Sequence, residues 1–173
     1  HLDILFQAAK ENGNKPLHIH VDQLNLPDQR DTELLIDKTI EHGYEGKVVA
    51  IHSISVGAQP KAYRNELYKK LKDVGIIVVA CPVGWIDNSW VAGLEDDVIG
   101  PIHNAVTPVK EMLDAGVTVA LGTDNIQDIY KPFADGDMWT DLRFLLEAQR
   151  IYDIEALSII ASTNGLKALF IDQ

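Results

Sequence analysis

The sequence predicts an α/β fold. Short, mostly apolar runs rich in Val and Ile alternate with longer amphipathic stretches, as parallel strands buried on both faces and their crossover helices do. His and Asp stand at the carboxyl ends of these runs. Two architectures share this pattern, an open doubly wound sheet and a (β/α)8 barrel. Both build their sites at the carboxyl edge of the sheet.

The elements follow in order. Leu2, Ile4, Leu5, Ala8 and Ala9 recur at helical spacing until Asn12-Gly13-Asn14 stops the helix. Leu17 to Val21 reads as a first strand. Pro27-Asp28 opens a second helix, lined by Leu34, Leu35, Lys38 and Thr39 and closed by His42-Gly43. Lys47 to Ile51 is a buried second strand. Pro60 starts a third helix through Tyr63, Leu67, Tyr68 and Leu71 to Gly75, and Ile76 to Cys81 is the third strand. A loop with Trp85, Trp90, Gly93, Gly100 and His103 follows. Thr107-Pro108 then reads as an N-cap with proline in the first helical position. That helix runs to Ala115-Gly116, and Val117 to Leu121 is the fourth strand. A second loop carries Asp128, Tyr130 and Asp137. Met138 to Tyr152, Ile154 to Ala161 and Asn164 to Phe170 read as helices. No linker or low-complexity tract divides residues 1–173.

Composition narrows the function. The 26 acidic residues outnumber 15 basic ones, for a net charge of −11. Such a balance argues against nucleic acid and anionic membranes, since only Lys69, Lys70 and Lys72 form a basic cluster. The longest apolar run, Ile76 to Val83, falls far short of the ~20 residues of a membrane helix. Lys10 and Glu11 interrupt the N-terminal stretch, so it does not read as a signal peptide. The single cysteine, Cys81, fits a reducing, cytoplasmic setting. No G-x-G-x-x-G or P-loop follows any strand.

Three of the four strand ends carry metal-ligating or acid/base groups. They read His18-Ile-His20-Val-Asp22-Gln23, Ala50-Ile51-His52-Ser53 and Leu121-Gly122-Thr123-Asp124-Asn125. Imidazole and carboxylate are ligands of divalent transition metals and also the usual general acid/base pair. One buried His is ordinarily a hydrogen-bonded core side chain. Three such groups at matching strand ends converge on one site. His18 shares a face with His20 and is read as lying one layer deeper, with His20 the ligand.

With His20, His52 and Asp124 together, the chain resembles the amidohydrolase superfamily, and within it the cytosine deaminase branch. The resemblance implies a (β/α)8 barrel of which residues 1–173 form the second half, strands 5 to 8. His20 would be the strand 5 metal ligand, His52 the strand 6 histidine that binds metal or polarises the attacked bond, and Asp124 the strand 8 aspartate. The stretch Thr107 to Val117 and the tail Ala161 to Ile171 are also similar to the family. The family's strand 1 His-x-His has no counterpart. His18-x-His20 stands only about thirty residues before His52, which leaves no room for three strands between them. A complete barrel takes about 250 residues, and the chain begins with His1 rather than Met. A processed chain or a piece of a longer protein is therefore expected.

The implied cofactor is one divalent metal, Zn or Fe, with Mn also compatible with these ligands. The implied reaction is hydrolysis of a C–N bond in a small cyclic amidine, cyclic amide or N-heterocycle, with Asp124, His52 and Gln23 catalytic and Trp85 and Asn125 at the substrate. The family's deaminases carry a Glu three residues after the strand 5 His, where this chain has Gln23. An amide does not exchange protons at a useful pKa, which weakens the deaminase reading and sets beside it an amidohydrolase that does not deaminate. Three further readings stand beside this one: a non-catalytic degenerate barrel, a complete doubly wound domain, and a half barrel that pairs with a second copy or with an absent N-terminal half.

Overall fold

The computed structural model describes residues 1–86 and 106–171. In chain order the elements are α1 (Leu2–Glu11), β1 (Leu17–Val21), α2 (Asp31–Glu41), β2 (Val48–His52), α3 (Lys61–Val74), β3 (Ile77–Ala80), α4 (Val109–Asp114), β4 (Val119–Leu121), α5 (Met138–Gln149), α6 (Ile154–Ala161) and α7 (Thr163–Ala168). Single 3-10 turns follow β2 at Ser55–Ala58 and β3 at Pro82–Ile86.

All four strands are parallel and pair in sequence order, β1-β2-β3-β4. That order separates the two architectures. A doubly wound sheet reverses its strand order at a switch point, and this sheet does not reverse. The register sets Val21 beside His52 and Ala80 beside Leu121, so the carboxyl ends of all four strands lie along one edge.

The two faces of the sheet are covered unequally. Val21, Val48, Ala50, Val78, Ala80, Val119 and Leu121 pack against the helices in the main core, with Phe6, Leu35, Leu67, Leu71, Met112, Leu145 and Ile160. On the opposite face Val49 and Ala120 pack with Ile51, Ile77, Val79 and two residues of the tail, Ala168 and Phe170. Helices crowding one face of a consecutively ordered parallel sheet are the layering of a barrel segment, the second face being its interior.

Local chemistry explains most boundaries. Gly75 ends α3 in the left-handed region, at φ +71°. Asp137 and Asp153 cap α5 and α6 by accepting Trp139 N–H and Ala156 N–H. Two helix starts differ from the sequence expectation. The second helix begins at Asp31 rather than at Pro27-Asp28, because its cap comes from outside: the Asp22 carboxylate accepts Asp31 N–H at 2.7 Å and Thr32 N–H at 3.0 Å. The fourth begins at Val109, and Thr107 does not cap it. Its hydroxyl donates instead to the His52 carbonyl. No helix among the described residues is long and apolar enough to cross a membrane.

Candidate metal and catalytic site

The carboxyl edge of the sheet is strained where the chemistry lies. Asp22, His52, Ser53 and Asp124 all have positive φ, at +51°, +79°, +50° and +59°. None is glycine, and such conformations persist only where the surroundings over-determine them.

His52 shows what the strain does. Val48 and Ala50 face the helices, so strand alternation would send His52 the same way. Its positive φ breaks the extended conformation at that residue. The ring lies against His20, which shares the interior face, with Nε2 3.1 Å from His20 Nδ1 and 3.9 Å from Asp124 Oδ1. His52 is 1% exposed. Its backbone is held by the Thr107 hydroxyl, which in turn accepts the Trp85 indole N–H at 3.2 Å. Trp85 is therefore buried behind the His52 strand end, spending its polar atom on Thr107.

Asp124 sits opposite. The Lys131 ammonium is 2.9 Å from Asp124 Oδ2 and 2.8 Å from Asn125 Oδ1. The turn after β3 closes over the same carboxylate: a Cβ on Gly84 would lie 3.1 Å from Oδ2. Asn125 also donates its amide N–H to Asp128, whose other oxygen accepts Tyr130 N–H and Lys131 N–H. Asn125 and Asp128 thus shape the loop that delivers Lys131. Gln23 is exposed on the turn after Asp22, three residues beyond His20.

The side chains whose ligand atoms all lie within 4.8 Å of one another at this edge are His52, Cys81 and Asp124. His20 reaches the group through the His52 ring. These nitrogen, sulfur and oxygen donors are of the kind that a divalent transition metal takes, so the edge fits such an ion. Cys81, which directly follows β3, was not among the site residues expected from the sequence. Its thiol is pushed up to about 12, first by burial and then by the Asp124 and Asp141 charges, while Asp124 N–H donates to the sulfur and opposes the shift.

Two more residues carried no sequence signal. Lys131 lies in an irregular loop. Asp141 looks like any acid in the first turn of a helix, yet it is 2% exposed and accepts Val83 N–H at 2.9 Å. Burial raises its carboxyl to about 6, helped by the Asp124, Asp137 and Asp135 charges. Lys131 and Asp141 line a cavity of about 390 Å³ beside Asp124, together with Val83, Thr123, Phe133 and Phe144. That volume lies within the ordinary range of small-molecule pockets.

His18 is one layer below His20. Its ring meets Phe170 edge-on at 6.1 Å, and burial against the tail lowers its pKa while a hydrogen bond with the Ala168 backbone raises it. Trp90 and His103 lie outside the described residues.

Comparison with known proteins bears on this arrangement. The model of the Amidohydrolase family matches residues 1–173. An N-isopropylammelide isopropyl amidohydrolase of Pseudomonas sp. (strain ADP) is 28% identical over 99% of this chain and 39% of its own length. An uncharacterized protein of Haemophilus influenzae is 47% identical over 65% of this chain and 38% of its own. Among solved structures, a 5-methylcytosine deaminase from Klebsiella pneumoniae liganded with 5-fluorocytosine superposes with a TM-score of 0.82 at 25% identity, over 96% of this chain and 40% of the other. The chain thus spans about two-fifths of the length of these relatives.

Proposed function

This chain belongs to the amidohydrolase family, and from that premise we propose that it forms strands 5 to 8 of a metal-dependent hydrolase barrel that cleaves a C–N bond of a small cyclic amide or N-heterocycle. The observation that carries the reading is the meeting of His52 with His20 and Asp124 at the carboxyl edge of a consecutively ordered parallel sheet. The names of the relatives support the substrate class: one hydrolyses N-isopropylammelide and another deaminates 5-methylcytosine.

His20, His52 and Asp124 would hold the metal. Held there, a divalent ion would make a water easier to deprotonate near neutral pH. Asp124 orients the attacking water and takes its proton on a carboxylate oxygen. His52, fixed by the Thr107 clamp on its carbonyl, stabilises charge that develops on the substrate heteroatom. Attack of the water oxygen at an sp² carbon then breaks the C–N bond, and the proton held by Asp124 passes to the nitrogen as it leaves as ammonia or an amine. Gln23 donates or accepts a hydrogen bond without moving a proton, so the reading favours hydrolysis that does not depend on a glutamate shuttle. Trp85 acts behind His52, whereas Asn125 borders the substrate through its contact with Lys131. The cavity beside Asp124 is the substrate's side of the site.

The remaining barrel strands come from a longer form of this chain or from a second copy, since β1 and β4 each pair on one side only among the described residues. The test is Asp124→Asn in a protein that carries the complete barrel, assayed against N-heterocyclic amines and cyclic amides. A loss of about a hundredfold or more in kcat is expected for a group that handles the proton of the attacking water. Activity near that of the unaltered protein would overturn the scheme.

A further inference from the structure

The family pattern places metal ligands on strand ends that correspond here to β1, β2 and β4, and it assigns nothing to the end of β3. In this chain the end of β3 is Cys81. It is 3% exposed, and its sulfur shares a 4.8 Å neighbourhood with a His52 ring nitrogen and an Asp124 carboxylate oxygen. Three neighbouring strands thus bring nitrogen, sulfur and oxygen to one point.

The packing around the sulfur is built for proximity rather than for filling space. Gly122, two residues before Asp124, lies directly against it: a Cβ there would stand 3.1 Å from the Cys81 sulfur and 2.9 Å from Val79 Cγ1. The absence of a side chain lets the β4 backbone approach β3 and carry Asp124 beside the sulfur.

We propose that Cys81 is a further metal ligand within this chain, adding sulfur to the His52 and Asp124 donors beside it in a nitrogen–sulfur–oxygen set that favours a thiophilic divalent cation such as zinc. The inference rests on the metal-dependent reading above and deepens it, since imidazole and carboxylate alone do not choose among Zn, Fe and Mn. A thiolate narrows the choice, because soft sulfur binds Zn and Cd far better than Mn or Mg. Ligand atoms around a tetrahedral zinc stand about 3.5 Å apart, so closing the set takes about an ångström of side-chain movement. The thiol proton leaves to solvent as the sulfur–metal bond forms.

The chain contains one cysteine, which makes the test unambiguous. The protein is titrated with Co²⁺ and followed in the near ultraviolet, where a thiolate bound to Co²⁺ gives a ligand-to-metal charge-transfer band. The band is expected in the unaltered chain and is lost in Cys81→Ser, with the Co²⁺ affinity falling at least tenfold. Competition is expected to rank Zn²⁺ and Cd²⁺ well above Mn²⁺ in the unaltered chain and to narrow that gap in the variant. Stoichiometric Co²⁺ binding without the band overturns the sulfur ligand and leaves the metal-dependent reading standing. Failure of Co²⁺ to bind both this chain and the protein with the complete barrel overturns both. If Cys81→Ser does not fold, the presence or absence of the band in the unaltered chain still decides.

Discussion

Asp141 ties the turn after β3 to the start of α5, and its replacement by Asn should change how stability responds to pH. The carboxyl is buried, accepts one backbone N–H, and titrates near 6 instead of at its ordinary 3.8. Burial is the first cause and the nearby carboxylates add to it. Between those two values the folded chain holds a proton that the unfolded chain has released. The stability tied to this carboxyl is therefore fully present below the ordinary value and is lost as pH rises through about 6. A rise of about two pKa units corresponds to on the order of 3 kcal/mol. Asn keeps the oxygen that accepts Val83 N–H and removes the charge. Urea unfolding of the metal-free chain at several pH values measures the difference. Asp141→Asn should match the unaltered chain below about pH 4 and exceed it by about 1–3 kcal/mol above about pH 7. Parallel pH profiles for the two chains would refute the reasoning.

Two other perturbations test the same edge of the sheet. Asp22→Ala removes the acceptor of Asp31 N–H and Thr32 N–H, leaving the start of α2 without its remote cap; a loss of about 1–3 kcal/mol is expected in denaturant unfolding, and an unchanged midpoint would contradict the capping role. Lys131→Met removes an ammonium that now neutralises Asp124 from 2.9 Å in a setting where both side chains are about 10% exposed. A divalent ion would no longer compete with that charge, so chelator-competition titration should show Zn²⁺ binding tighter by at least about tenfold. Weaker binding would mean that Lys131 holds Asp124 in place for the metal.

Much of this was written locally. Apolar runs and helical spacing predict β1 to β4 within a residue or two: β2 to β4 are nearly continuous apolar runs, and β1 alternates His18 and His20 with apolar residues, each a strand signal within a few neighbours. Glycine at Gly75 and acids at Asp137 and Asp153 act within a turn of their own position, so their effect is visible in sequence. The His and Asp strand ends were legible for the same reason: parallel order alone brings them to one edge.

Other features depended on residues distant in the chain. The start of α2 moved because its cap, Asp22, comes from the previous strand. Thr107 was drawn from capping its own helix to clamping His52. Cys81 and Asp141 read as an ordinary buried thiol and an ordinary helix acid until the turn after β3 folded over both, and Lys131 came to Asp124 through an irregular loop. The alternation of elements, the edge where the chemistry collects and three of the groups there are legible along the chain. Folding settles the rest: the strands run in consecutive order without reversal, His52 turns inward against its strand's alternation, and a sulfur and an ammonium come to lie beside Asp124. Periodicity is a property of neighbours along the chain, whereas strand order, backbone strain and contacts between loops are settled by packing across it.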